Sequence, residues 1–173
     1  LETVLVGYDP EADSFSYVVS GSAGSTVNSS YALRTAAINY VWDPDSFTYV
    51  RVETNSDESV ISAGTYAASQ NSSDQTNRFY TGAHILLNVT SVPGTDTITP
   101  HIQGKDSVSG NYYDILVGNA ISTTGLTVLK VHPGISPLAN GAANDLLPKT
   151  WRVRIVHSAA SNFDYSVGAS LVK

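Results

Sequence analysis

Along the second half of the chain, apolar and polar residues alternate with a period of two. In Asp96-Thr-Ile-Thr-Pro-His-Ile-Gln103, Ile98, Pro100 and Ile102 share one side, and Thr97, Thr99, His101 and Gln103 share the other. In Trp151-Arg-Val-Arg-Ile-Val156, Trp151, Val153 and Ile155 point one way and Arg152 and Arg154 the other. In Asn162-Phe-Asp-Tyr-Ser-Val-Gly-Ala-Ser-Leu171, Phe163, Tyr165, Val167, Ala169 and Leu171 alternate with Asp164, Ser166, Gly168 and Ser170. Successive side chains of a strand face opposite ways, so this pattern predicts half-buried antiparallel strands. Residues 83–90, 112–118 and 126–132 read as further strands. Turn residues separate them: Pro93-Gly94, Ser109-Gly110-Asn111, Thr124-Gly125 and residues 158–161. Strands spaced by roughly 10–15 residues predict an all-β fold, an antiparallel β-sandwich or a jelly-roll-like domain, over residues 71–173. Residues 133–149 carry Pro133, Pro137, Gly141 and Pro148 and read as a long loop, of the kind that is functional or docked on a neighbour.

Residues 1–70 have a different texture: short apolar runs, acidic turns and Ser/Gly stretches. Val6-Gly-Tyr-Asp-Pro-Glu-Ala-Asp-Ser-Phe-Ser-Tyr17 is echoed by Tyr40-Val-Trp-Asp-Pro-Asp-Ser-Phe-Thr-Tyr49. Each reads as strand, Asp-Pro turn, strand. Residues 21–30 form a Gly/Ser-rich linker between them, and residues 30–39 hold the one candidate helical turn. This segment is expected to be a β-hairpin-rich N-terminal arm or small subdomain, with strands suited to extending a neighbouring sheet.

Composition narrows the function. Only 14% of residues are charged, against roughly 25% in an average globular chain. Such a Ser/Thr-rich surface suits wide, wet interfaces. A net charge of −6 argues against nucleic acid, which demands a basic face, and against anionic membranes. The chain has no Cys, hence no disulfide, thiolate metal site or Cys nucleophile. It begins on Leu1 rather than Met, which suggests numbering from within a longer or processed chain.

Candidate chemistry is sparse. His84, His101, His132 and His157 show no metal-ligand spacing. Asp9-Pro-Glu-Ala-Asp13 and Asp43-Pro-Asp45 lack the calcium-loop progression. Nearly every acid reads as a turn residue rather than one of a pair across a cleft, as glycoside hydrolysis needs. No Ser stands in Gly-x-Ser-x-Gly, and Gly21-Ser-Ala-Gly24 lacks the Lys of a phosphate loop. The chain therefore reads as a non-enzyme with no catalytic, cofactor-binding or metal residues. Exposed rings could stack on sugars, and Tyr40, Trp42, Tyr49, Tyr112 and Tyr113 are candidates; Trp151 shares a face with Val153 and Ile155 and reads as core. Tyr112, Tyr113, Arg152 and Arg154 are the candidate interface or ligand-contact residues.

Several segments carry a resemblance: Ile102-Gln-Gly-Lys-Asp106, Ser109-Gly-Asn-Tyr-Tyr113, Thr127-Val-Leu-Lys-Val-His-Pro-Gly134, Asn144-Asp-Leu-Leu-Pro-Lys-Thr-Trp-Arg-Val153 and Tyr165-Ser-Val-Gly-Ala-Ser170. With the run from Leu146 to Val156 as its most specific part, the stretch from about residue 80 to 172 resembles a family of virion structural proteins of tailed bacteriophages. The resemblance implies a β-sandwich displayed on a virion assembled in the host cytoplasm. It further implies a capsid decoration (cement) protein or a head or tail accessory protein; the leading expectation is a cement protein that forms a homo-oligomer and contacts the major capsid protein or other virion proteins. The alternative is a carbohydrate-binding adhesin or tail-fibre module.

Overall fold

The structure, a computed structural model, describes residues 55–173 in full and the backbone of four earlier segments, residues 4–9, 14–19, 40–43 and 48–51. The chain divides into two compact units, Leu1–Asn39 and Tyr40–Lys173. In the first, β1 (Val4–Asp9) and β2 (Ser14–Val19) pair antiparallel, with Val6 opposite Tyr17 and Tyr8 opposite Phe15. In the second, β3 (Tyr40–Asp43) and β4 (Thr48–Arg51) do the same, with Trp42 opposite Tyr49. Both strand pairs expected on either side of an Asp-Pro turn are therefore present. The linker of residues 21–30 and the candidate helical turn at 30–39 lie outside the described residues.

The rest of the second unit is two sheets. Their strands are β5 (Asn55–Tyr66), β6 (Gln70–Asn71), β7 (Gln75–Thr76), β8 (Gly82–Ser91), β9 (Ile98–Lys105), β10 (Tyr112–Val117), β11 (Gly125–Val131), β12 (Ala142–Ala143), β13 (Thr150–His157) and β14 (Phe163–Val172). One sheet runs β12-β11-β8-β14-β5, and the other runs β10-β9-β13-β6 with β7 also on β13. The pairings are nested. β9 pairs with β10, β8 with β11, β6 and β7 with β13, and β5 with β14. The chain thus doubles back on itself as one long antiparallel ribbon wrapped into two layers, the strand order of a jelly roll.

The alternation read from the sequence decides what lies between the layers. Ile98 and Ile102 of β9, Trp151, Val153 and Ile155 of β13, and Phe163, Tyr165, Val167, Ala169 and Leu171 of β14 are all buried. Ala83, Ile85, Leu87 and Val89 of β8 and Leu129 and Val131 of β11 complete this core. Burial of this much apolar surface is the main favourable term holding the sheets together.

The structure corrects the reading at three places. The sandwich begins by residue 55, not 71: β5 pairs along β14 and buries Val60 and Ile61 in the core. Acids are not confined to turns, since Asp57 and Glu58 lie in β5, Asp114 in β10 and Asp164 in β14. The loop of residues 133–149 docks on its own domain. Within it, β12 runs parallel to β11, Leu147 is 4% exposed and its N–H donates to the Thr81 carbonyl.

Candidate functional site

The outer face of the β10-β9-β13 sheet gathers most of the polar side chains singled out above. On β9, His101, Gln103 and Lys105 lie on one face; the register sets Lys105 opposite Tyr112, Gln103 opposite Asp114 and Arg152, and His101 opposite Arg154. Cross-strand neighbours on one face approach within about 4.5–5.5 Å at Cβ, so these side chains meet. The Arg152 guanidinium lies 3.3 Å from the centroid of the Tyr112 ring, and the Lys105 ammonium 5.3 Å from it. The Tyr112 hydroxyl donates to Asp74 at 2.5 Å, and Lys105 Nζ donates to the other oxygen of that carboxylate at 2.6 Å.

The chain of contacts continues inward. Arg152 Nε donates to Gln103 Oε1 at 2.9 Å, Gln103 Nε2 donates to Asp114 at 2.8 Å, and His101 Nδ1 lies 3.1 Å from the same Asp114 oxygen. Gln103 is only 6% exposed, and both ends of its amide are used, as a buried amide requires. Hydrogen bonds from Lys105 and Tyr112 hold the Asp74 carboxyl below its ordinary value. The bond to Asp74 raises the Lys105 ammonium above its own. Both groups are solvent-exposed, so this pair adds little stability.

Of the four candidate residues, the fold joins Tyr112 to Arg152 and leaves the other two apart. Tyr113 lies opposite Gly104, its ring where a Gly104 side chain would stand, and is 50% exposed. Arg154 sits between His101 and Asn71 in register and forms no hydrogen bond or ion pair among the described residues. Asp74, Lys105 and Asp114 carry no motif in the sequence that marks them for this face. Asp74 precedes the two-residue strand β7, and no local pattern in the sequence links it to Tyr112, 38 positions away. Chemically the cluster is a lattice in which Lys105 faces a carboxylate and Arg152 a ring and an amide, with Arg154 outside it. Among the described residues no three His, Asp or Glu side chains come together to hold a metal.

A second group closes one end of the sandwich. His157 meets Phe163 edge-on at 5.1 Å, its Nε2 is 3.3 Å from the Tyr165 hydroxyl, and Tyr66 packs on Tyr165 at 4.7 Å. Burial pushes the His157 imidazole down, against an opposing backbone contact from Ser161, and pushes the Tyr165 phenol up. On the other sheet, burial and the nearby charges of Lys130 and His132 lower His84. Both imidazoles are therefore held neutral below the ordinary histidine value of 6.5. Above that value folded and unfolded chains carry the same charge on them; below it the unfolded chain takes up the proton first, so stability falls as the pH drops through the lowered folded values. The melting temperature is expected to decline from pH 7.5 to 5, and His157→Gln should flatten part of that decline. A midpoint constant across this window in calorimetry would show that neither ring resists protonation.

Compared with protein-family models and with curated proteins, the chain matches none. What the fold defines is a class, the jelly-roll sandwich, a scaffold that hosts capsid proteins, lectins and enzymes alike.

Proposed function

We propose that the protein is a virion structural protein, a capsid decoration (cement) protein that stabilises a phage head through contacts between subunits. The observation that carries this reading is how the outer β10-β9-β13 face is used. Its charged and polar side chains are tied to one another, from Asp74 through Lys105, Tyr112, Arg152 and Gln103 to Asp114 and His101. Apart from Arg154, the charges of this face are balanced by one another, which suits a large contact with a neighbouring subunit better than capture of a small charged substrate. The resemblance of residues 80–172 to phage virion proteins includes β9, the start of β10 and β13 among its segments, and the low overall charge points the same way. The partners would be the major capsid protein or other virion proteins, with further copies of this chain around a local axis, and the location the virion.

The glycan-binding reading loses one of its candidate rings. One face of Tyr112 is covered by Arg152, and sugar stacking needs an open face; Tyr113 remains half exposed.

Particles assembled without the protein are expected to lose resistance to heat or pressure, and adding it back should restore it. Light scattering and genome release on a temperature ramp would measure this. Particles equally robust without it would remove the cement role.

A further inference from the structure

The edges of the two sheets are treated differently. β5 spans 12 residues against the 10 of β14 and absorbs the excess in two register shifts near Ile61, with exposed Asp57 and Glu58 beside them. β10 shifts register between Asp114 and Leu116, and β6 and β7 are two residues each. Bulges, charges and short strands are the usual means of stopping an edge from pairing with another chain.

β11 has none of these along Gly125–Leu129. β12 pairs only with Lys130 and Val131. Lys130 N donates to the Gly141 carbonyl and His132 N to that of Ala143, so the even-numbered amides of β11 aim at this edge and the odd ones at β8. The N–H and C=O of Leu126 and Val128 therefore point outward, with no backbone partner among the described residues. Their side chains are 60% and 38% exposed, and Leu138, bridged to Ala142 of β12, is 65% exposed. No Asp or Glu occurs between Asp114 and Asp145, in a chain of net charge −6.

We infer that Gly125–Leu129 is a self-association edge, onto which a second copy of this chain adds the same segment antiparallel across a twofold axis. The slot fixes its own register. β12 closes it beyond Leu129, and the turn at Gly125, with φ of +139°, closes the other end. An antiparallel copy confined between these limits centres on Thr127. Leu126 then faces Val128 of the second copy and Val128 faces its Leu126, each pair exchanging both main-chain hydrogen bonds. Thr127 meets Thr127, and Gly125–Leu129 holds no charged residue, so no like charges meet within the paired segment. Self-complementarity of this kind is what a twofold contact requires. A copy of this chain, negatively charged overall, can approach here because the segment carries no carboxylate; a basic partner would find nothing to pair with. The proposal does not depend on a capsid role.

Sedimentation equilibrium of the full chain tests it. The wild type is expected to be a dimer, and Val128→Lys, whose charge projects outward and away from the core, a monomer with unchanged circular dichroism. Because the chain has no Cys, Thr127→Cys supplies a single reporter. Non-hydrogen-bonded antiparallel pairs have Cα atoms about 4.5 Å apart, within disulfide reach. Mild oxidation should therefore cross-link Thr127→Cys but not Val108→Cys, at the 93% exposed position in the β9–β10 turn. A wild type that stays monomeric at its highest soluble concentration would overturn the proposal. So would a dimer that survives Val128→Lys and leaves Thr127→Cys reduced.

Discussion

Trp151→Ala is expected to cost the sandwich about 3–5 kcal/mol, a large part of the stability of an ordinary domain. Trp151 is 0% exposed and heads the largest fully buried side chains of the described core. It lies in register with Gly104 of β9 on one side and Gln75 of β7 on the other. Neither neighbour can fill the space: Gly104 has no side chain, and β7 is held to β13 by a short pairing. The cavity would persist, and its cost adds to the lost transfer energy. Trp151→Phe should cost clearly less. The indole Nε1 has no hydrogen-bond partner among the described residues, and a buried unpaired donor itself costs about 1–3 kcal/mol, which Phe does not carry. Urea denaturation should show the midpoint falling at constant slope in the order wild type, Phe, Ala. Equal losses for both variants would mean that the indole nitrogen is satisfied in solution.

Gly82→Ala should be the second most damaging substitution, although it adds one methyl group. A Cβ there would stand 2.3 Å from the Val131 carbonyl oxygen and 2.8 Å from the His132 ring. The first obstacle is backbone, so relief requires moving β8 from β11 where the loop of residues 133–149 is anchored. There the Leu147 N–H reaches Thr81 and the His132 N–H reaches Ala143. Overpacking of this kind costs about 1–3 kcal/mol, and the loop should become the first point of proteolytic cleavage. Gly104→Ala makes a useful contrast. Its Cβ would stand 2.4 Å from the Tyr113 ring, but that ring is half exposed and can swing outward. Gly104→Ala should be milder than Gly82→Ala and should be rescued by Tyr113→Ala. If thermal melts placed Gly82→Ala within error of wild type, the approach of β8 to β11 would have to be looser than described.

The strands that could be read from the chain are those in which nothing interrupts the period of two. β9, β13 and β14 each alternate apolar and polar residues along the chain whatever their partners do, and most of their buried residues follow from it. β5 hid because its register shifts bring Val60 and Ile61, adjacent in sequence, into the core together. A strand bulged in this way reads as a turn-rich arm, and residues 55–70 therefore read with the N-terminal part. β6 and β7 are too short for any period to show. The Tyr112–Arg152 stack was half legible: both residues were candidates, yet their meeting depends on register across β9, which the turn lengths set and side-chain pattern does not. Asp74 left no signal, since a lone acid in Ser-Ser-Asp-Gln is what any loop contains. The chemistry of the face emerges from pairing between distant strands, and a single chain read linearly holds no record of it.

The nested pairing has a consequence for how the molecule is made. β14 lies between β8 and β5 in its sheet, and it is the last of the described strands to be synthesised. Until residues 163–172 have been synthesised, β5 has no neighbour and β8 is paired on one side alone. The β9–β10 hairpin at the tip of the ribbon can form early, because its partners are close in sequence. Closure of the outermost rung, β5 on β14, spans nearly the whole domain and must wait. Contacts of such long sequence separation place all-β domains among slow folders, on the order of milliseconds to seconds. Completion of this fold therefore waits for β14. In the interval the nascent chain carries strand edges that only β14 can cover.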